Sequence, residues 1–258
     1  VGFGLGIDVG GTWIKGAAVN LDSGIPAGAV RRLRTPAGGT VEAVADTLDR
    51  LLRELETQAP LSPDRPIGVA IPSIVRNGVA ASAANMDRSW VGLDVRSFLE
   101  VRLGRAVCVV NDADAAGLAE VRYGAGQDVS GTVLVLTLGT GIGSALIVDG
   151  RLVPNLELGH LEVGGRKAES RASALARENE GLGWPEYAVR LQQYLQHVEF
   201  LFSPDLIILG GGISACSSEF LPRLSLRSPV VPAGLENSAG VVGAALYAAA
   251  GRDALLPA

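Results

Sequence analysis

Three times along this chain an apolar, β-favouring run stops at a corner built of glycine with threonine or serine: "GIDVGGTWIKGAAVN" (6–20), "LVLTLGTGIGSALIVDG" (134–150) and "DLIILGGGIS" (205–214). Residues without side chains leave backbone N–H groups uncovered at the end of a buried strand, where a small ligand can approach. The first two corners lead straight into a second apolar strand, which reads as a hairpin. One supersecondary unit therefore occurs twice.

The segments between the corners fill in an α/β plan. "VRRLRTPA" (30–37) is a third strand whose alternating arginines predict one wet face. In "VEAVADTLDRLLRELETQ" (41–58), Val41, Val44, Leu48, Leu51, Leu52 and Leu55 recur at spacings of three and four, the period of an amphipathic helix. "IGVAIPSIV" returns to strand, "RSFLEVRLG" to helix, "AVCVV" to strand and "DADAAGLAEVRYG" to helix. After the second corner come helices within 170–180 and over 185–202, then the strand at 205–214, a helix, the strand "SPVVPA" and a last helix. This order predicts two α/β domains, 1–112 and 113–258, with the last helix free to pack back on the first, and a ligand cleft between them.

Composition narrows the function classes. The 258 residues carry a formal charge of −5, with 12 basic and 12 acidic residues up to position 112 and 10 basic against 15 acidic after it. A nucleic-acid partner is disfavoured, because phosphate neutralisation needs a basic excess. An anionic ligand must instead be held by local backbone donors and a few cations. Cys108 and Cys216 read as reduced, buried thiols rather than metal ligands or a bridge. The start of the chain lacks the pattern of a secretion signal, and the longest Ala/Gly/Val-rich stretch, 239–251, is shorter than the roughly 20 residues a membrane span requires. A cytoplasmic protein with no membrane partner is the expectation.

Each chemical candidate has a bland alternative. Gly10, Gly11 and Thr12 read as a phosphate cradle or as an ordinary hairpin turn, and Lys15 adds a charge to it or points into solvent. Asp8 at the edge of that cradle holds Mg²⁺ through water or closes an Asx turn. Neither lysine sits in a Walker A loop, and no G-x-G-x-x-G joins a strand to a helix. In "VVNDADAAGLAE" (109–120), Asp112 and Asp114 are good helix N-caps; a carboxylate at that strand end could equally take a proton from an attacking hydroxyl that Asn111 orients. Glu157, His160, Glu162 and Glu169 suit sugar hydroxyls better than zinc, since no cysteine cluster or second histidine lies near.

Taken together, "DVGGT", "VNDADAAG", "LGTGIGSAL", "ELGH" and "LGGGIS" resemble the ROK family of sugar kinases and sugar-responsive repressors, over residues 4–247. Within that family "AANMDRSW" (83–90), "LVPNLELGHLE" (152–162) and "LRSPVVPAGLENSAGVVGAAL" (226–246) are most similar to its polyphosphate-using glucokinases and glucomannokinases. The resemblance implies the actin-like, ribonuclease H-like fold of hexokinase type. It implies Asp112 as the general base acting on the 6-hydroxyl of glucose, with Asn85, Asn111, Glu157, His160 and Glu169 binding the sugar. Gly10, Gly11, Thr12 and Lys15 match the family's first phosphate segment, Thr140 and Gly141 the second, Gly211 and Gly212 the nucleotide-side segment, and Asp8 the magnesium-linked acid. Implied with them are Mg²⁺, a polyphosphate or ATP donor, a glucose or mannose acceptor and a homodimer.

Two departures stand out. The zinc-binding cysteine loop of many ROK kinases is absent after "ELGH", so no structural zinc is expected, and Ser73 occupies a position where the family usually has glycine, a concern if that position needs positive φ. Strict ATP use, mannose specificity and a repressor-like sugar sensor remain the alternatives. Arg31, Arg32 and Arg34, or Arg166 and Lys167, are candidate cations for a polyphosphate chain, each equally readable as solvated surface charge.

Overall fold

The computed structural model describes residues 2–57, 61–62, 64–84, 86–251 and 255. Its backbone forms two units, Val1–Ala119 with Ser238–Ala258, and Glu120–Asn237.

The first unit is built on strands β1 (Phe3–Val9), β2 (Trp13–Asn20), β3 (Arg31–Arg34), β4 (Ile67–Ile71) and β5 (Val107–Asn111). They lie in the order β3-β2-β1-β4-β5, with β1, β2 and β3 antiparallel and β1, β4 and β5 parallel. The interior strand β4 is buried along its whole length, as expected of a parallel strand covered on both faces. One face of the sheet is covered, over β2 and β3, by the helix Val41–Glu56, which starts where Thr40 Oγ1 accepts the Ala43 amide and buries all six residues of the predicted stripe. Edge strand β3 shows the expected alternation at its end, with Arg32 and Arg34 exposed and Leu33 between them packed against the core, while Arg31 at its start is exposed as well.

The other cover is the last helix, Ala239–Ala250, which is apolar around most of its circumference. A Cβ built on Gly6 of β1 would collide with the Val241 carbonyl, one on Gly68 of β4 with the Ala244 carbonyl, and one on Gly243 with the Ala115 carbonyl. The helix therefore rests backbone to backbone on the sheet. This explains glycine inside two strands, where it otherwise weakens pairing. Ala115 belongs to the helix Asp112–Tyr123, whose first turns are held to the first unit by that contact. The division accordingly falls between residues 119 and 120 rather than between 112 and 113.

The second unit repeats the plan. Strands β6 (Thr132–Leu138), β7 (Ile142–Val148), β8 (Arg151–Leu156), β9 (Leu206–Gly210) and β10 (Val230–Pro232) lie in the order β8-β7-β6-β9-β10, again with three antiparallel and then parallel neighbours. Helix Trp184–Phe202 buries Tyr187, Leu191, Tyr194, Leu195 and Val198, and Phe220 stacks on Trp184 with ring centroids 5.9 Å apart. Burying a large apolar side chain of this kind stabilises by about 1.5–3 kcal/mol.

Both cysteines are free, but Cys216 is exposed rather than buried, and Cys108 is half-buried with its thiol pushed up by desolvation. Among the described residues no helix is long and apolar enough to cross a membrane.

Candidate functional site

The corner between β1 and β2 is narrower as an anion site than its sequence suggests. The Gly10 amide donates to the Trp13 carbonyl at 3.0 Å, and the Gly10 carbonyl accepts the Thr35 hydroxyl at 2.6 Å. The Gly10 amide is thus committed within the turn. Gly11 and Thr12 are exposed, and among the described residues neither amide, nor the Thr12 hydroxyl, donates to a protein acceptor. The corner is braced by the Thr35 amide, which donates to the Thr12 carbonyl at 3.1 Å.

Asp8 and Lys15 sit directly opposite one another in the β1–β2 ladder, which places them on one face with Lys15 Nζ 3.9 Å from Asp8 Oδ2. Lys15 therefore points at Asp8 rather than into open solvent. Across from them lies Gly240, in the first turn of the last helix, where a Cβ would come within 2.9 Å of Asp8 Cγ. Burial pushes the Asp8 carboxyl above its usual range and Lys15 pulls it back only in part. A recessed carboxylate with one distant cation suits a divalent ion held through water, and Mg²⁺ fits that donor. Among the described residues no group of three or more His, Cys, Asp or Glu side chains could hold a metal by itself, so most of the ion's ligands would have to be water and phosphate oxygen.

Asp112 opens the helix that follows β5, and the residue capping that helix is Asn111, not Asp112 or Asp114. Asn111 Oδ1 accepts the Ala113 amide at 2.9 Å and the Asp114 amide at 3.0 Å, while Asn111 Nδ2 donates to the Ser73 carbonyl at 3.1 Å. Both oxygen lone pairs and one of two amide hydrogens are committed inside the protein, so Asn111 retains a single N–H for a ligand. Asp114 is buried in the first turn. Asp112 is partly exposed and accepts the Ala113 amide through Oδ1 at 2.9 Å.

Ser73 resolves the concern about its position. It is not among the positive-φ residues, and its hydroxyl donates to the Ser82 carbonyl at 2.6 Å while Ser82 Oγ accepts the Ile74 amide at 2.9 Å. This reciprocal clasp fixes the carbonyl that holds Asn111. Asn85, expected at a sugar, lies outside the described residues.

In the second unit Glu157, His160 and Glu169 come together. Glu157 precedes the 3₁₀ turn Leu158–His160, whose amide at His160 donates to the Glu157 carbonyl at 3.0 Å. His160 Nε2 lies 3.5 Å from Glu169 Oε1, an ion pair when the imidazole is protonated. Burial pushes the Glu157 carboxyl upward, His160 lowers it and Glu169 raises it further. The turn is seated by two residues the sequence did not flag. A Cβ on Gly159 would collide with the Ile142 carbonyl, and buried Ser144 donates to the Leu156 carbonyl at 2.8 Å while accepting the Leu158 amide at 3.0 Å. "ELGH" is thus bolted to β7. A lone glycine between Leu158 and His160 was the only signal available for Gly159, and Ser144 gave none.

Two of the three glycine corners meet in this unit. A Cβ on Gly211, at φ 84°, would strike the Leu138 carbonyl, so the corner after β9 lies beside the end of β6 that leads into Thr140 and Gly141. Glu169 Oε2 stands over Gly141, 2.7 Å from where a Cβ would be. Gly212 opens the 3₁₀ turn Gly212–Cys216. The expected residues therefore form two sets: Asp8, Gly10, Gly11, Thr12, Lys15, Asn111 and Asp112 in the first unit, and Thr140, Gly141, Glu157, His160, Glu169, Gly211 and Gly212 in the second.

The sequence pattern of the ROK family matches residues 4–173. The polyphosphate glucokinase of Mycobacterium tuberculosis strain H37Rv is 47% identical over 248 residues, covering 96% of this chain and 91% of the relative. That of Mycobacterium leprae strain TN is 44% identical, covering 96% of this chain and 75% of the relative. Among solved structures, the inorganic polyphosphate/ATP-glucomannokinase of Arthrobacter sp. strain KM superposes with a TM-score of 0.93 at 56% identity, covering 96% of this chain and 99% of that one. A ROK family glucokinase from Streptomyces griseus, solved in complex with glucose and AMPPNP, superposes with a TM-score of 0.83 at 25% identity, covering 97% and 100%.

Proposed function

Because this chain belongs to the ROK family and has its actin-like α/β fold, we propose that it is a polyphosphate glucokinase, moving the terminal phosphoryl group of inorganic polyphosphate, or of ATP, onto the 6-hydroxyl of glucose. The observation that carries the reading is near full-length likeness to kinases that use polyphosphate, at 47% and 56% identity. Mannose is the second acceptor to try, and a homodimer the expected assembly, which light scattering on the purified protein tests.

The reaction asks little covalent chemistry of the protein and much positioning. Asp112 accepts the proton of the attacking hydroxyl; its carboxylate is held at the start of the helix by the Asn111 cap and, behind that, by the Ser73–Ser82 clasp. The last amide hydrogen of Asn111 is its contribution to a sugar oxygen. Glu157 and the His160–Glu169 pair supply acceptors and a donor for ring hydroxyls, spaced by the rigid seat that Gly159 and Ser144 give the turn. Gly11 and Thr12 offer the N–H and O–H donors of the first phosphate corner, and Thr140, Gly141, Gly211 and Gly212 those of the second pair. Asp8, with Lys15 beside it, would hold Mg²⁺ through water, and the ion when bound neutralises charge on the phosphates.

The test crosses glucose and mannose against polyphosphate and ATP with purified protein, reading the sugar 6-phosphate formed. Glucose phosphorylation by polyphosphate supports the reading; turnover with ATP alone reduces it to an ATP-dependent glucokinase, and no transfer from either donor rejects it.

A further inference from the structure

We infer that Trp13, Arg32 and Arg34 form the platform that carries the stretch of polyphosphate behind its reacting end. The inference rests on the reading that polyphosphate is a donor, and it says where on this chain such a donor is gripped. Inorganic polyphosphate has no base or ribose; each internal residue offers one negative charge and free oxygens. Its recognition must come from a row of cations.

The β2–β3 ladder supplies that row. Trp13 is paired with Arg34 and Lys15 with Arg32, so all four side chains share one face. The Arg34 guanidinium carbon lies 4.1 Å from the Trp13 ring centroid and that of Arg32 lies 5.0 Å from the same ring. Two like charges drawn to one indole repel each other. Yet among the described residues no carboxylate lies within 4.0 Å of either, whereas Arg53, Arg102, Arg105, Arg190 and Arg227 each have an acidic partner. An anion lying between Arg32 and Arg34 would relieve that repulsion. The indole holds both planar groups in place in advance, which lowers the ordering cost of binding, and guanidinium forks suit phosphate oxygens.

Position adds to the chemistry. Trp13 follows Thr12 directly, and Thr35, next to Arg34, is tied by hydrogen bonds to Gly10 and Thr12. The platform is therefore continuous with the first phosphate corner. The other basic pair, Arg166 and Lys167, are successive residues of a two-residue strand, so their side chains point to opposite faces and form no row.

The experiment compares the parent enzyme with R32A/R34A and R32K/R34K. KM is measured for ATP, tripolyphosphate and chains of several tens of phosphates, and direct affinity for the same polyphosphates is measured by calorimetry without sugar. The double alanine variant is expected to raise KM and Kd for long chains about tenfold, with a shallower salt dependence. ATP and tripolyphosphate should change by less than about twofold, and the lysine variant should recover part of the loss, keeping charge without the fork. Unchanged long-chain affinity, or an equal rise in KM for ATP, overturns the platform. Should the parent fail to turn over polyphosphate, the donor reading falls on that result alone. The calorimetric comparison still decides the platform: a tenfold loss of long-chain affinity in R32A/R34A upholds it, and no loss rejects it.

Discussion

Replacing Asn111 separates two roles for the residue beside the proposed base. In Asn111→Ala the helix Asp112–Tyr123 loses its N-cap, typically ~1 kcal/mol. The Ser73 carbonyl loses its partner in a site where Asn111 is only 8% exposed, a further ~1 kcal/mol. A total of roughly 2 kcal/mol in a chain of this size lowers the thermal midpoint by about 4–8 °C. Asn111→Ser keeps a capping oxygen but cannot reach Ser73, so it should lose about half as much. Scanning calorimetry without ligands measures both, and steady-state kinetics should show kcat falling more than glucose KM rises, because Asp112 loses its fixed geometry. A residue that served only to touch sugar would behave in the opposite way. Should Asn111→Ala melt within 1 °C of the parent and show only a raised glucose KM, the positioning argument is refuted.

Asp112→Asn removes the proton acceptor and should cut kcat by about 10²–10⁴-fold while circular dichroism and the melting midpoint stay near the parent's. Gly159→Ala drives a methyl into the Ile142 carbonyl; a loss of about 1–3 kcal/mol and weaker glucose binding by calorimetry are expected, and unaltered affinity would mean the seat of the turn is irrelevant. Glu157 has a folded-state pKa raised above its ordinary 4.5, chiefly by burial, so the folded protein binds more protons there than the unfolded chain. Its contribution is full below pH 4.5 and is lost as pH rises through the folded value; urea midpoints against pH should therefore slope downward in that window, and Glu157→Gln should flatten the slope.

Much of the architecture was legible because strand and helix leave periodic traces. The stripe from Val41 to Leu55 and the two strand-corner-strand repeats come from burial patterns that a sequence carries openly. What it carried poorly was the destination of individual hydrogen bonds. "NDAD" offers three good capping residues within four positions, and only the backbone geometry selects Asn111. Gly10 looks like Gly11 in a string, yet its amide is closed in the turn. Gly6, Gly68 and Gly243 carry no sign in the string of the backbone they contact, 170 or more residues away for the first two. The chain division moved for the same reason: Ala115 is held by a glycine from the far end of the sequence. Ser73 is the converse case, where concern over a missing glycine dissolves once the backbone there proves to need no positive φ.

The seating of the final helix on β1 and β4 also bears on how the molecule comes into being. Residues 120–237 form one uninterrupted stretch and are all present on the ribosome before any part of Ala239–Ala250 has been made. The first sheet, although synthesised earlier, waits with the bare backbone of Gly6 and Gly68 uncovered until that helix emerges. The later-encoded half is thus the first to have everything it needs to fold, reversing the usual vectorial order.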